Sequence, residues 1–345
     1  MVHHKVQNPV ITILILLFAV SASFSLAAEF DREVAETILL YQRDSGGWPK
    51  NYDRKQKVSQ SDRKRLIKEK TRQDSTIDNG ATHTEIQHLA KAFHKTHDKR
   101  YRDAALRGIE FVLQAQYANG GWPQRPEDRS GYSRYITYND GAMIGVMSML
   151  RSILKDRSTY SFVNSELRDQ CHQAIEKGID CILRCQIIVA GRKTVWCAQH
   201  DEVDFQPRRA RSYELPSLSG SESVGIVRFL MEVEDPNPQI IDAIESANHW
   251  FRKSQLKGIR VERVKAPTQP QGYDRIVIQD ANATPMWARF YSIEDNRPIF
   301  CSRDGLPRRS LAEISHERRN GYSWLGYYAA DLLETHYPNW KADQQ

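Results

Sequence analysis

The sequence predicts a mainly α fold: an incomplete α/α toroid, a barrel of helical hairpins, with a few short surface strands. Three observations carry this. Apolar residues recur at helical spacing along most of the 345-residue chain. Two short motifs recur in the same order: Gly46-Gly47-Trp48-Pro49 returns as Gly120-Gly121-Trp122-Pro123, and Asp78-Asn79-Gly80-Ala81 as Asn139-Asp140-Gly141-Ala142. Strand signals are few and late.

The first 27 residues read as a segment apart. Lys5 lies ahead of the apolar run Ile11 to Val20, and Ser25-Leu26-Ala27 fits a small-x-small cleavage site. That is the layout of a secretory signal, and the run is short for a membrane span. The expected division is a signal peptide over 1–27 and one toroid domain over 28–345. The expected location is secreted or periplasmic, without stable membrane association.

The helices follow in order. Thr82-His83-Thr84-Glu85 has the pattern of a capping box and precedes Ile86, Leu89, Ala90 and Phe93. Tyr101, Ala105, Ile109, Val112 and Leu113 mark a second helix, and Cys171, Ala174, Ile175, Ile179 and Ile182 another. Ser219 and Glu222 read as a capping box opening a helix with Val224, Val227 and Leu230. Asn237-Pro238 starts a helix towards Trp250, and the last is expected to run from Tyr322 to His336 and stop at Pro338. Gly258–Val264, Arg275–Ile278 and Trp287–Tyr291 have strand character.

Each Gly-Gly-Trp-Pro follows a helix ending in Gln, at Gln42 and Gln116, and Gln186 to Trp196 is a looser third copy. The first motif repeats at 74 residues and the second at 61, a difference taken up in the charged run Asp53 to Arg72, read as a solvated loop. Repeated helix–loop–helix units that circle an axis bring their loops to one end.

The formal charge is +6, falling to about +5 without Lys5, which suits an acidic partner without choosing among nucleic acid, membrane surface and polyuronate. No stripe of basic residues points to nucleic acid. The five cysteines leave at least one thiol unpaired, and Cys171, Cys181 and Cys185 read as small buried residues without zinc spacing. No nucleophile elbow, P-loop or dinucleotide fingerprint is present. His83 and His88 flank Glu85 without forming a zinc motif, and surface positions suit His94 and His97.

Asp78 and Asp140 each lie in a polar, Gly-containing loop just before a helix. Two repeat-related carboxylates beside Asn79 and Asn139 suit a hard cation such as Ca²⁺, and each could equally cap its helix. Arg208, Arg209 and Arg211 precede a helix, as a carboxylate-binding cluster or an exposed basic loop. Arg275 and Arg289 stand in strand-like runs, where a charge needs a partner.

Gly-Gly-Trp-Pro-Lys-Asn at 46–51, Thr-Ile-Asp-Asn-Gly-Ala-Thr at 76–82, Gly-Gly-Trp-Pro-Gln at 120–124, Tyr-Asn-Asp-Gly at 138–141 and Ala-Arg-Ser-Tyr-Glu at 210–214 together resemble the family 10 polysaccharide lyases, pectate lyases with an α/α toroid. The likeness runs from about Phe30 to Trp340. It implies calcium-assisted β-elimination on polygalacturonate, and nothing in the sequence demands more than a monomer. By that resemblance Asp78, Asn79 and Asp140 are metal ligands, and Arg211 is the base, with Arg209 next if the register differs. It makes Arg275 and Arg289 substrate-carboxylate ligands, with Lys50 and Asn51 lining the same cleft. An arginine base needs its pKa lowered, by burial beside calcium and other cations. Two other readings stand beside this one: a glycoside hydrolase with Asp78 and Asp140 as acid and base, and a non-catalytic polyuronate-binding protein using the Trp loops.

Overall fold

The apolar spacing resolves into helices whose periodic residues are buried. In the computed structural model, which describes residues 31–344, Ile86, Leu89 and Ala90 are fully buried on α3, His83–Thr96. Tyr101, Ala105, Ile109 and Val112 are buried on α4, Lys99–Ala115. For orientation, α1 is Arg32–Tyr41 and α2 is Gln60–Lys68. The next pairs are α5, Ala142–Lys155, with α6, Ser165–Cys185, and α7, Glu222–Met231, with α8, Pro238–Lys253. The signal-peptide expectation falls on residues outside those described.

α3–α4, α5–α6 and α7–α8 are helical hairpins. Helices α1, α3, α5 and α7 pack side by side in that order, and α4, α6 and α8 form a second row beside them. This is the mainly α toroid that the sequence predicts. One core cluster runs from Val34 to Trp340, and a smaller one gathers Tyr213, Phe290, Phe300, Leu311 and Trp324.

The repeated motif is the stitch between hairpins. The Gln42 amide donates to Gly46 O at 2.9 Å and Ala104 O at 2.8 Å, and Gln116 donates to Gly120 O and Ala174 O, both at 2.9 Å. Gln186 does the same to Thr194 O and Ala243 O, so the looser third copy is a true one. Each ties its own loop to the next outer helix. The following indole N–H then bonds back to a helix carbonyl: Trp48 to Ile38, Trp122 to Val112 and Trp196 to Ile182, at 2.7–2.8 Å. Trp287 to Phe251 at 2.9 Å is a fourth instance, one that no Gly-Gly pair announces. Gly120 has φ +91°, and a Cβ there would lie 1.9 Å from Lys177 O. Only glycine fits that close approach.

Several local expectations change. Residues 53–72 are not all loop: Ser59 caps α2, with Asp62 in its first turn and Arg65 and Lys68 in its last, charges that complement the helix dipole. Thr82 does not cap α3. Its hydroxyl donates to Thr76 O and accepts from Trp48 N, while Glu85 bonds Tyr52 and Arg54. Ser219 Oγ does accept from Glu222 N at 3.1 Å, but the box is not closed: Ser219 N donates to Trp196 O, and the Glu222 carboxylate takes Ser219 Oγ and Arg289 instead. Residues 322–328 are not helical. The last helix begins near Ala330 and continues through Pro338 to Asp343. It does so by a π-turn over Leu332–His336, closed by Tyr337 N on Leu332 O. The wider turn accommodates a proline that an unbroken α-helix would reject, and Trp340 beyond it is buried.

The strands are short. Ile259–Lys265 pairs antiparallel with Tyr273–Gln279 as a half-exposed hairpin. Trp287–Tyr291 is not superficial: Trp287 and Phe290 are each 1% exposed, because this run pairs with Leu325–Gly326 and Leu218–Ser219 inside the body. Among the described residues all five cysteines are buried and free, and no helix is long and apolar enough to cross a membrane.

Candidate active site

Two copies of one turn form the floor. Asp78–Gly80 and Asn139–Gly141 are single 3₁₀ turns whose middle residues are left-handed, Asn79 at φ 52° and Asp140 at φ 50°. Asn and Asp tolerate that region best among residues with a side chain. The repeat therefore aligns Asp78 with Asn139 and Asn79 with Asp140. The two aspartates are diagonal partners across the repeat, and each turn supplies one carboxylate and one amide. The turns touch, at the N-terminal ends of α3 and α5.

Lys50, Asp78, Asn79, Gln124, Tyr132, Asn139, Asp140, Gln199, Arg211 and Glu214 line one small polar cleft of about 60 Å³. Lys50, Gln124 and Gln199 come from the three loops that follow the repeated tryptophans. Lys50 Nζ is ion-paired with Asp78 Oδ2, and Asp78 Oδ1 is buried without a partner. Asn139 Nδ2 donates to Asp140 Oδ2 at 2.8 Å. Asn51, at φ 65°, is exposed and accepts from Asn79 Nδ2 at 3.5 Å.

Of the three clustered arginines, Arg211 lines the cleft. Arg208 is committed to Asp201 and Asp204, both at 2.8 Å, and Arg209 is exposed. Glu214 holds Arg211 in a tight turn: its carboxylate accepts from Arg211 N (3.1 Å) and Nε (2.8 Å), while Tyr322 OH donates to Oε1 at 2.7 Å. Burial pulls the Arg211 guanidinium down, but the hydrogen bond and charge of Glu214 outweigh it and hold the group above its ordinary value. Glu214, three residues on, acts against the lowering that an arginine base needs.

Arg289 is buried, 8% exposed, at the back of the site. It bonds Asp140 Oδ1 at 2.9 Å and forms an ion pair with Glu222, which is itself bonded to Ser219 Oγ. Burial opposes its charge, and Glu222, Tyr322 and Asp140 more than restore it. The Tyr322 ring lies 4.7 Å from the Arg289 guanidinium and 5.9 Å from that of Arg211, so one ring spaces the two cations. Arg275 stands apart. It lines a separate, more apolar cleft of about 610 Å³ with Leu256, Phe300 and Leu311, and is joined to this region by a 3.1 Å bond to Tyr322 O.

Sequence reasoning missed Glu214, Glu222, Tyr322, Gln124 and Gln199. Glu214 and Gln124 sit inside motifs already singled out. Glu222 was hidden by its capping pattern, and Tyr322 and Gln199 carry no local signal. His83, which flanks Glu85, is buried, its imidazole pushed down to about 4 by burial and then by Arg54.

The arrangement suits a hard cation in chemistry. Its donors are carboxylate and amide oxygens, one of them buried and orphaned. Among the described residues no three His, Cys, Asp or Glu side chains converge, so such an ion would need further oxygens from amides, water or a bound carboxylate.

Fold and cleft together define a toroidal enzyme whose charged site is made by loops at the N-terminal ends of its inner helices. The chain belongs to the pectic acid lyase family, whose model matches residues 42–333, within family 10 of the polysaccharide lyases. It is similar to the family 10 polysaccharide lyase from Cellvibrio cellulosa, with 33% identity and a TM-score of 0.76 over 88% of this chain and 91% of that one. An aspartate-to-alanine mutant of that lyase, solved in complex with trigalacturonic acid, matches with the same identity and TM-score over 88% and 92%. A comparison with curated proteins gives no match.

Proposed function

We propose that this polysaccharide lyase is a secreted pectate lyase that cleaves polygalacturonate by β-elimination, with Arg211 as base. The observation that supports it is the meeting of Asp78, Asp140 and Arg211 in one cleft, with Asp78 Oδ1 buried and unpartnered. The complex of the similar Cellvibrio lyase with an acidic trisaccharide supports the substrate class.

In this reading Asp78, Asn79 and Asp140 hold calcium. When bound, calcium draws charge from a uronate carboxylate and acidifies the proton on the neighbouring ring carbon. Arg211 takes that proton, a C=C bond forms to the next ring carbon, and the glycosidic C–O bond there breaks, its oxygen leaving as a hydroxyl with a proton from water. Lys50, Asn51 and Arg289 hold the sugar and oppose the charge that develops on its carboxylate. Arg275 would contact the chain further along. The base must be neutral, and Glu214 works against that. The neutral fraction rises about tenfold per pH unit, so the reading expects an alkaline optimum.

The hydrolase reading gains no support from the geometry, since both aspartates carry cationic partners, an arrangement that suits carboxylates better than a proton donor. The test is ultraviolet absorbance of conjugated uronate from polygalacturonate at alkaline pH, with calcium and with a chelator. A rise with calcium alone is expected. New reducing ends without absorbance would sink the proposal.

A further inference from the structure

The cleft has two kinds of wall. On one, the polar side chains are paired, with Asp78 Oδ1 left open: Lys50 to Asp78, Asn139 to Asp140, Asp140 to Arg289, and Arg211 to Glu214. On the other stand Gln124 and Gln199, 7% and 2% exposed. Among the described residues neither side-chain amide makes a hydrogen bond, and Gln199 Oε1 is buried with no partner. Buried amides are nearly always satisfied. One that is left open on the wall of a cleft destabilises the free protein and regains its hydrogen bonds when a ligand supplies them.

The backbone fixes where these amides stand. Gln124 O accepts from Thr76 Oγ1 at 2.6 Å and Ile77 N at 3.2 Å, which holds Gln124 against the Asp78 turn. Gln199 pairs across a short ladder with Thr137, and its carbonyl accepts Arg208 N at 3.0 Å. It therefore bridges the Asn139–Asp140 turn and the segment that carries Arg211.

We propose that Gln199 and Gln124 form a wall that reads sugar hydroxyls. The inference rests on the pectate-lyase reading and adds to it the residues that recognise the neutral part of each uronate. An amide offers one acceptor and two donors. A carboxylate has no proton to give and would leave Gln199 Oε1 unsatisfied, whereas a hydroxyl both gives and accepts. The charged wall then reads the carboxylate and the amide wall reads the ring.

The test compares the full chain with Gln199→Leu, Gln124→Leu and the double variant. Three quantities are read: initial rates against polygalacturonate concentration, calcium affinity by calorimetry, and thermal melting. A hydroxyl contact present in both ground and transition states predicts KM raised about tenfold per amide, with kcat little changed. Calcium affinity stays as in the unaltered protein. An unchanged KM in folded variants overturns the inference. So does a loss explained by weaker calcium binding, which would make the amides metal ligands. Should Gln199→Leu fail to fold, Gln199→Glu keeps the shape, removes the donors and sets a charge against the uronate. A raised KM with unchanged calcium affinity supports the wall, and an unchanged KM overturns it. If the unaltered protein neither cleaves polygalacturonate nor binds trigalacturonate, the pectate reading itself fails, a result distinct from a silent variant of an active enzyme.

Discussion

Asp140 and Arg289 stand 149 positions apart in the chain and 2.9 Å apart in the fold. The same guanidinium is ion-paired with Glu222, whose side chain is only 2% exposed. Arg289 thus neutralises one carboxylate in the cleft and another beneath it.

Removing that cation leaves Glu222 buried and uncompensated. Arg289→Met is expected to destabilise the protein by about 3–5 kcal/mol, the usual result of breaking a buried pair from one side. Adding Glu222→Gln should recover part of the loss. Urea denaturation of both variants checks this, and a loss below about 1 kcal/mol with no coupling would contradict it.

Lys50 neutralises the Asp78 carboxylate, whose other oxygen is the one left open for a metal ion. Lys50→Met should therefore bind calcium more tightly at neutral pH, by about tenfold, equivalent to roughly 1.4 kcal/mol, while its activity falls for want of a substrate contact. Calorimetry in the absence of substrate reads the first effect alone. Weaker calcium binding would show that Lys50 does not compete.

Glu214 raises the Arg211 pKa through its hydrogen bond and charge, against the pull of burial. Glu214→Gln removes the charge and keeps the shape, so the guanidinium loses its proton at lower pH. The alkaline rise of kcat/KM should move to lower pH in this variant. Arg211→Ala should lose about 10²–10⁴-fold in kcat, the range for a general base. A rise that stays in place in Glu214→Gln would argue that Arg211 is not the group being titrated.

Acid should weaken the fold through two buried imidazoles. His83 and His200 are both pushed down to about 4, chiefly by burial, with Arg54 also lowering His83. His200 Nε2 accepts from Cys197 N at 2.9 Å, and the Phe205 carbonyl, 2.7 Å away, accepts from Nδ1. Protonating Nε2 would break the first bond. Between about pH 6.5 and 4 the unfolded chain takes up protons that the native state refuses. Stability therefore falls as pH drops through that window, and this contribution levels off below it. At about 1.4 kcal/mol per pH unit, the two groups together account for several kcal/mol. Urea midpoints from pH 7 to 4 measure the slope, and His200→Gln should remove roughly half of it.

How much of this was legible in the sequence depends on the range of the forces involved. Helices α3, α4 and α6 to α8 were readable because their burial is periodic, and the start of α5 because the duplicated turn precedes it. The cleft was readable because the duplicated turn marks Asp78 and Asp140, but the simple echo of two aspartates concealed the diagonal arrangement, which appears only in the left-handed backbone of Asn79 and Asp140. Glu222 and Tyr322 were out of reach because their roles depend on partners far along the chain, Arg289 and Glu214. Pro338 misled because its usual effect is to end a helix, and the burial of Trp340 beyond a π-turn overrides that tendency. The hold of Glu214 on Arg211 was out of reach because local sequence shows the neighbouring arginines but not how closely Glu214 folds back.

The cleft draws on residues from Lys50 to Arg289, and each tryptophan stitches its loop to a helix formed earlier in the chain. No single hairpin holds a working site. During refolding, α3–α4 and α5–α6 can associate through near neighbours, whereas bringing Arg289 to Glu222 and Asp140 requires closures of 67 and 149 residues. Helical signal should return ahead of catalysis, and a chain cut short after α8 would keep most of its helices while leaving Asp140 without its guanidinium. Activity in this molecule reports the arrival of one distant guanidinium, not the return of its helices.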